Sequence, residues 1–313
     1  MAALSAISLL AAFFAPSFTL FACASFLIGL LSIVPQIIIP YGAVLAGPKA
    51  RGKVMGTLLS GLLVGILLSR TVSGIVASLF FWRMIYLFAL VLVAILTGLL
   101  YWKMPRTQIK TTSSVSYLDS LKSLPYLVKT QRLLREASIS GFFMFGTFSI
   151  FWSTLIFYIS SPVYHWGTFE AGILAIFGLS GAVAAPIVGR LSDSYSERKI
   201  VGMGLAMQTL SFVALLVAGS HLVVLLVAII LLDVGNQFGQ VANQTRVQGL
   251  GEAASNRNNT VFMFMYFIGG ATGSLLGTTM WQQFGWLGVT LTGLAFQLCA
   301  YICQYIIFQK RLR

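Results

Sequence analysis

Apolar residues run along this chain in stretches long enough to form helices that cross a bilayer, which takes about 20 such residues. Ten stretches are read, near 2–15, 18–44, 55–80, 83–102, 137–160, 168–188, 200–219, 221–245, 258–281 and 286–308. Short polar connections separate most of them. One longer hydrophilic segment, 103–136, divides four predicted spans from six. Within the spans, small residues recur every four positions. Gly61, Gly65, Ser69, Ser73 and Ala77 form one such row, Gly269, Gly273 and Gly277 a second, and Gly181, Ala185 and Gly189 a third. On a helix each row is a ridge that lets a neighbouring helix approach closely.

Composition sharpens this picture. Of the 313 residues 58% are hydrophobic and only 9% charged, against roughly 25% charged in soluble domains. A mean hydropathy of +0.91 excludes a water-soluble globule, so the fold class read is an all-α membrane protein with ten transmembrane helices. The basic residues then fix an orientation. With Met1 in the cytoplasm, the cytoplasmic connections hold Lys49, Arg51, Lys53, Lys103, Arg106, Lys110, Lys122, Lys129, Arg132, Arg135, Arg190, Arg198, Lys199, Arg246 and Arg257, and the tail holds Lys310, Arg311 and Arg313. These are eighteen of the 20 Lys and Arg residues. Arg83 alone falls on the outer side, and Arg70 lies inside a span. Both termini are therefore expected in the cytoplasm and His165 outside. The net charge of +13 follows from topology and does not call for nucleic acid. Cys23, Cys299 and Cys303 fall in apolar spans and read as small buried hydrophobes. His165 and His221 have no metal-ligand spacing. No phosphate loop, zinc-spaced His/Cys set or nucleophile–His–acid grouping is present, so an enzyme is not expected, nor a cofactor or metal.

Two polar features interrupt the apolar spans. Arg70 lies ten residues before Phe80, about 15 Å from the outer interface. An arginine stem does not span that distance, so Arg70 should face a wet cavity or an acidic partner. Held by carbonyls or an ion pair it is structural; exposed to a cavity it attracts anions or couples ions. The second feature is "LLDVGNQFGQVANQTR", 231–246. Asp233, Asn236, Gln237, Gln240, Asn243 and Gln244 share one helix face. Either they are hydrogen-bonding glue between helices, or they wall a substrate cavity. Asp233 is the acid read deep within a span, which makes it the candidate for proton coupling and for a pair with Arg70.

Residues 34–90 and 238–294 show a weak repeat: Gln36, Arg51 and Trp82 in one, Gln240, Arg257 and Trp286 in the other. Parallel repeats suit a transporter of two bundles around a site between them. The segment "GRLSDSYSERK", 189–199, resembles the cytoplasmic signature of the major facilitator superfamily, G-x-L-x-D-R-x-G-R-[RK]. Gly189, Leu191, Asp193 and Arg198 match, and Lys199 follows. "ARGKVMGTLLSGLLVGILLSRTVSG" resembles the family's fifth helix and the loop before it, with Gly65 and Gly74 at the ends of the antiporter motif and Arg70 where that motif has Pro. "SNRNNTVFMFMYFIGGATGSLLG" resembles the eleventh helix of the drug/proton antiporter-like branch.

The resemblance starts at the third helix of a twelve-helix pattern. It implies an N-terminal half over 1–102, a basic cytoplasmic linker over 103–136 and a C-terminal half over 137–313. It implies secondary transport by alternating access, with proton-coupled efflux of an unknown small molecule, in a monomer of the bacterial inner membrane with lipid as its surroundings. Residues 189–199 would be a cytoplasmic gate in which Gly189 allows close approach and Asp193 caps the next helix. The fourth and tenth helices line the cavity in this family, which assigns Gln36 and the 231–246 face to it. The competing expectation is an N-terminally truncated, inactive remnant of such a transporter.

Overall fold

A computed structural model describes residues 2–32, 58, 61, 64–66, 68–69, 71–103, 117–250 and 255–307. At residues 2, 103, 117–121, 190, 192–194 and 255–256 only the backbone is described. Gln36, Arg70 and the basic residues 49–53 thus lie outside the described residues. The chain divides into two compact units. Unit one is Met1–Thr112 with Thr168–Ile173, and unit two is Ser113–Gly167 with Leu174–Arg313.

Unit one holds α1 (Ala2–Phe14), α2 (Phe18–Leu31), α3 (described over 71–79) and α4 (Met84–Lys103). Ser17 caps α2 by accepting from the Leu20 N–H at 3.3 Å. Arg83, just before α4, donates to Phe13 O at 3.5 Å and to Ala15 O. A cation is thereby seated on the last carbonyls of α1, where the helix dipole favours it. Its guanidinium also sits 5.0 Å above the Trp82 ring. In α3 the close approach is made at Gly74, one residue off the predicted ridge. A Cβ there would lie 2.6 Å from Thr168 O and 2.9 Å from Gly172 Cα. Thr71 donates to Gly172 O at 3.0 Å. Gly61 and Gly65 meet no described atom within 4 Å.

Unit two is a helical bundle: α5 (Tyr117–Thr130), α6 (Arg132–Ser160), the end of α7 (Thr168–Phe177), α8 (Leu179–Ser194), α9 (Glu197–Ala218), α10 (Leu222–Gln248) and α11 (Ser255–Tyr301), closed by a π-helical turn over Ile302–Ile307. The hydrophilic segment 103–136 contains α5, which the sequence reading left as linker. Leu124 and Leu127 on α5 pack against Leu134, Val261 and Phe262 while Lys122 and Lys129 stay exposed. That amphipathic pattern is too short to register as a span. A straight helix of 47 residues would be about 70 Å long, more than twice a bilayer core. α11 breaks instead at Gly285, whose φ of 60° and ψ of −147° leave the helical region. The two spans read at 258–281 and 286–308 lie either side of it.

The second glycine row serves packing inside unit two. Cβ atoms at Gly269 and Gly273 would run into the Phe142 and Gly146 carbonyls, and one at Gly277 would lie 3.1 Å from Ile150 Cα. The residue offset is the same at all three, so α6 and the first part of α11 run parallel in one register. α9 and α10 cross as tightly, with Gly204 and Gly235 each placing a would-be Cβ 2.6–2.7 Å from the other's carbonyl. Met144, Val188, Leu205, Phe238 and Ala300 close a buried core among these helices. Six helices among the described residues are long and apolar enough to cross a membrane.

Candidate functional site

α10 places its polar face inside unit two, as the amide spacing requires. Asp233 is 5% exposed. Its Oδ2 accepts from the Trp152 indole N–H of α6 at 3.3 Å. One turn on, Asn236 donates to the Tyr266 hydroxyl at 3.1 Å, and that hydroxyl donates to Gln240 Oε1 at 3.2 Å. Tyr266 stacks on Phe145 with ring centroids 4.1 Å apart. Gln237 and Gln240 are half-buried. Asn243 is fully buried and donates to Ser140 Oγ at 3.5 Å. Gln244 is tied to Asn259 at 3.1 Å. Asn236 and Asn243, the buried amides of this face, thus each have a protein partner, which removes the penalty of burying them bare.

Asp233 also faces a break between helices. α7 stops at Phe177, α8 starts at Leu179, and Gly178 lies between them. A Cβ on Gly178 would lie 3.1 Å from Asp233 Oδ1, and one on Gly181 would lie 3.1 Å from Asp233 O. The span read at 168–188 runs through this point, and the structure likewise has one candidate span over Thr168–Gly189, tightened locally at Gly178.

A second constellation occupies the other end of α10. Glu136 Oε1 lies 3.2 Å from Arg198 Nε and 3.0 Å from Arg246 Nη2. The contact to Arg198 Nε is ionic and lacks the alignment of a hydrogen bond. Arg246 reaches Asn243 Oδ1 at 3.3 Å, which links the two constellations along one helix. Arg198 donates to Gln304 O, and Gln304 returns a bond to Arg198 O at 3.0 Å. The π-helical turn supplies the inward direction of Gln304. Beside Arg198 and Arg246 lies a cavity of about 400 Å³ that also touches Glu197, Thr245 and Leu250.

Sequence reasoning missed Glu136. It lies in the second turn of α6, directly ahead of the span read at 137–160 and inside the stretch that reads as basic linker. Arg246 and Gln304 were read as a topology charge and a span residue. The signal that could have found Glu136 is that it is a carboxylate abutting that span.

The predicted gate residues are placed unequally. Arg198 joins the charge cluster, and Leu191 packs on the core. Lys199 is exposed. No described atom lies within 4 Å of a Cβ on Gly189. One expectation is corrected. Asp193 does not occupy the cap of the next helix: it lies in the last turn of α8, and the N-cap of α9 is Ser196. The Arg70–Asp233 pair and Gln36 fall outside the described residues.

At the C-terminal end of α6, Tyr158 stacks on Trp286 at 3.8 Å. In the adjoining loop Tyr164 donates to Gly219 O at 2.8 Å. Burial, with Tyr158 beside it, pushes the Tyr164 phenol up to about 12, so it stays a neutral donor at every physiological pH.

The sequence profile of the Major Facilitator Superfamily matches residues 1–274 and again 137–311. An uncharacterized transporter of Escherichia coli O157:H7, YgaY, is 34% identical over 272 residues, 87% of this chain and 68% of that protein. An uncharacterized MFS-type transporter of Bacillus subtilis, YybF, is 23% identical over 281 residues, 90% of this chain and 69% of its own length. Among solved structures, a crystal structure of the nucleoside transporter NupG superposes with a TM-score of 0.73, covering 100% of this chain and 82% of that one. At 16% identity the likeness shows the fold alone.

Proposed function

The chain belongs to the major facilitator superfamily, and from that premise we propose that it is a proton-coupled exporter of a small molecule, working by alternating access. Its halves are 1–102 and 137–313, joined by 103–136, with both termini in the cytoplasm and ten spans in the bacterial inner membrane. The observation that carries the coupling is Asp233, a carboxyl 5% exposed on a helix face of amides. Such a group is the natural place for a proton to be taken up and released, because burial makes its charged form costly. Asn236, Gln237, Gln240 and Asn243 line its helix, and Gln36 is the counterpart in the other half. Arg70 is the cation that serves the same path. Protonation of Asp233 toward the outside releases the substrate, and loss of that proton toward the cytoplasm readies the site for the next molecule. Gly189, Leu191, Asp193, Arg198 and Lys199 form the gate that closes the cytoplasmic side.

The test is export from an efflux-deficient bacterium expressing the chain, with a panel of fluorescent organic dyes as probes. Accumulation of at least one dye should fall, and a protonophore should restore it. Asp233→Asn should abolish the difference while leaving the amount of membrane-inserted protein unchanged. Export that persists in Asp233→Asn would assign the coupling elsewhere.

A further inference from the structure

Asp233 is met from three elements at once. From α6 the Trp152 indole N–H reaches Oδ2 at 3.3 Å. From the α7–α8 break, the bare backbone of Gly178 leaves room for Oδ1: a Cβ there would lie 3.1 Å from that oxygen and 3.3 Å from Trp152 Cζ2. From α8, Gly181 packs its backbone on the Asp233 main chain. At the break itself, Gly178 N–H bonds Ala175 O and Gly181 N–H bonds Gly178 O, each at 3.1 Å. Both bonds span three residues instead of four, so the helix tightens where the carboxylate lies. Broken helices at membrane depth are found where backbone borders a site.

We propose that Trp152 and the break at Gly178 are the positioning residues of the Asp233 proton site, the indole fixing one carboxylate oxygen and the side-chain-free backbone admitting the other. This rests on the reading of Asp233 as the proton-carrying group. The ionised carboxylate accepts the indole N–H. Taking one proton from hydronium gives the neutral acid and a water molecule, and weakens that acceptor. The same event therefore loosens α10 from α6 beside the tightened turn at Gly178. Losing the indole donor removes a bond made to the charged form, so proton affinity rises.

Other groups near the carboxyl do not supply this effect. From α11 the titratable group in electrostatic reach is the Tyr266 phenol, whose hydroxyl is already shared between Asn236 and Gln240. Among the described residues α6 and the Gly178–Gly181 turn bring no charged group to it. Arg70 lies outside those residues.

The experiment is infrared difference spectroscopy of the purified full chain in lipid nanodiscs, titrated with acid. Asp233→Asn identifies the Asp233 carboxyl band. Trp152→Phe keeps a ring against Phe148 and Phe151 but has no donor. It should raise the midpoint of that band by about one pH unit, a tenfold gain in proton affinity. Gly178→Ala should also raise it, by pushing Oδ1 from its seat. Because Gly178→Ala can misfold, Trp152→Phe decides, and a monodisperse elution profile confirms that it is folded. A merely structural Trp152 would change yield and leave the midpoint where it was, which overturns the positioning role while the proton site stands. A wild-type protein with no titrating Asp233 band overturns both.

Discussion

Glu136 holds two arginines with one carboxylate, and all three groups are largely buried. Removing a single member of such a set leaves buried charge uncompensated, which costs about 3–5 kcal/mol. Glu136→Gln should therefore lower thermal stability in detergent by several degrees. Adding Arg246→Leu should recover part of that loss, since it withdraws one of the stranded cations. Additive losses in the double variant would show that Arg246 and Glu136 do not act as a pair. Arg83 is the instructive contrast. It was legible as the exception to the charge asymmetry, and the structure seats it on the carbonyls that end α1. Glu136 was not legible, because the pattern that identifies a span counts apolar residues, and the charges around Leu133 and Leu134 place the start of α6 in the linker by that count.

At the scale of elements, the α6–α11 seam gives a sharp expectation. Gly273 opposes the Gly146 backbone with no room for a side chain. Gly273→Val should destabilise unit two by at least about 1–3 kcal/mol through overpacking. Gly189→Ala, with no described atom nearby, should be close to neutral. Thermal unfolding of the two purified variants against the parent checks both. Equal effects would mean that the seam relaxes. This seam was legible, since Gly269, Gly273 and Gly277 stand four apart. Its partner was not, because spacing on one helix does not say which helix lies opposite. The same holds on α10: the row Asp233, Asn236, Gln240, Asn243 announced an inward face, while Trp152, Tyr266 and Ser140 had to be found in space. The span through Gly178 was legible, while the tightened turn inside it was not, because two three-residue bonds leave no mark on an apolar run. α5 escaped because its apolar stripe of Leu124 and Leu127 is shorter than a bilayer requires.

For the whole molecule, the distribution of Lys and Arg predicts an orientation with both termini in the cytoplasm. Reporters active only in the cytoplasm should work when fused after Arg313, and reporters active only outside should work at His165. The reverse result would invert the topology, and with it the side on which the Glu136 cluster lies. That cluster also has a sequence in time. The ribosome makes α6, α9 and α10 before the end of α11, so Glu136, Arg198 and Arg246 all exist before Gln304 does. The reciprocal bond between Gln304 and Arg198 cannot form until the π-helical turn has been made, which leaves the three-charge cluster without that fastening for as long as α11 is being synthesised.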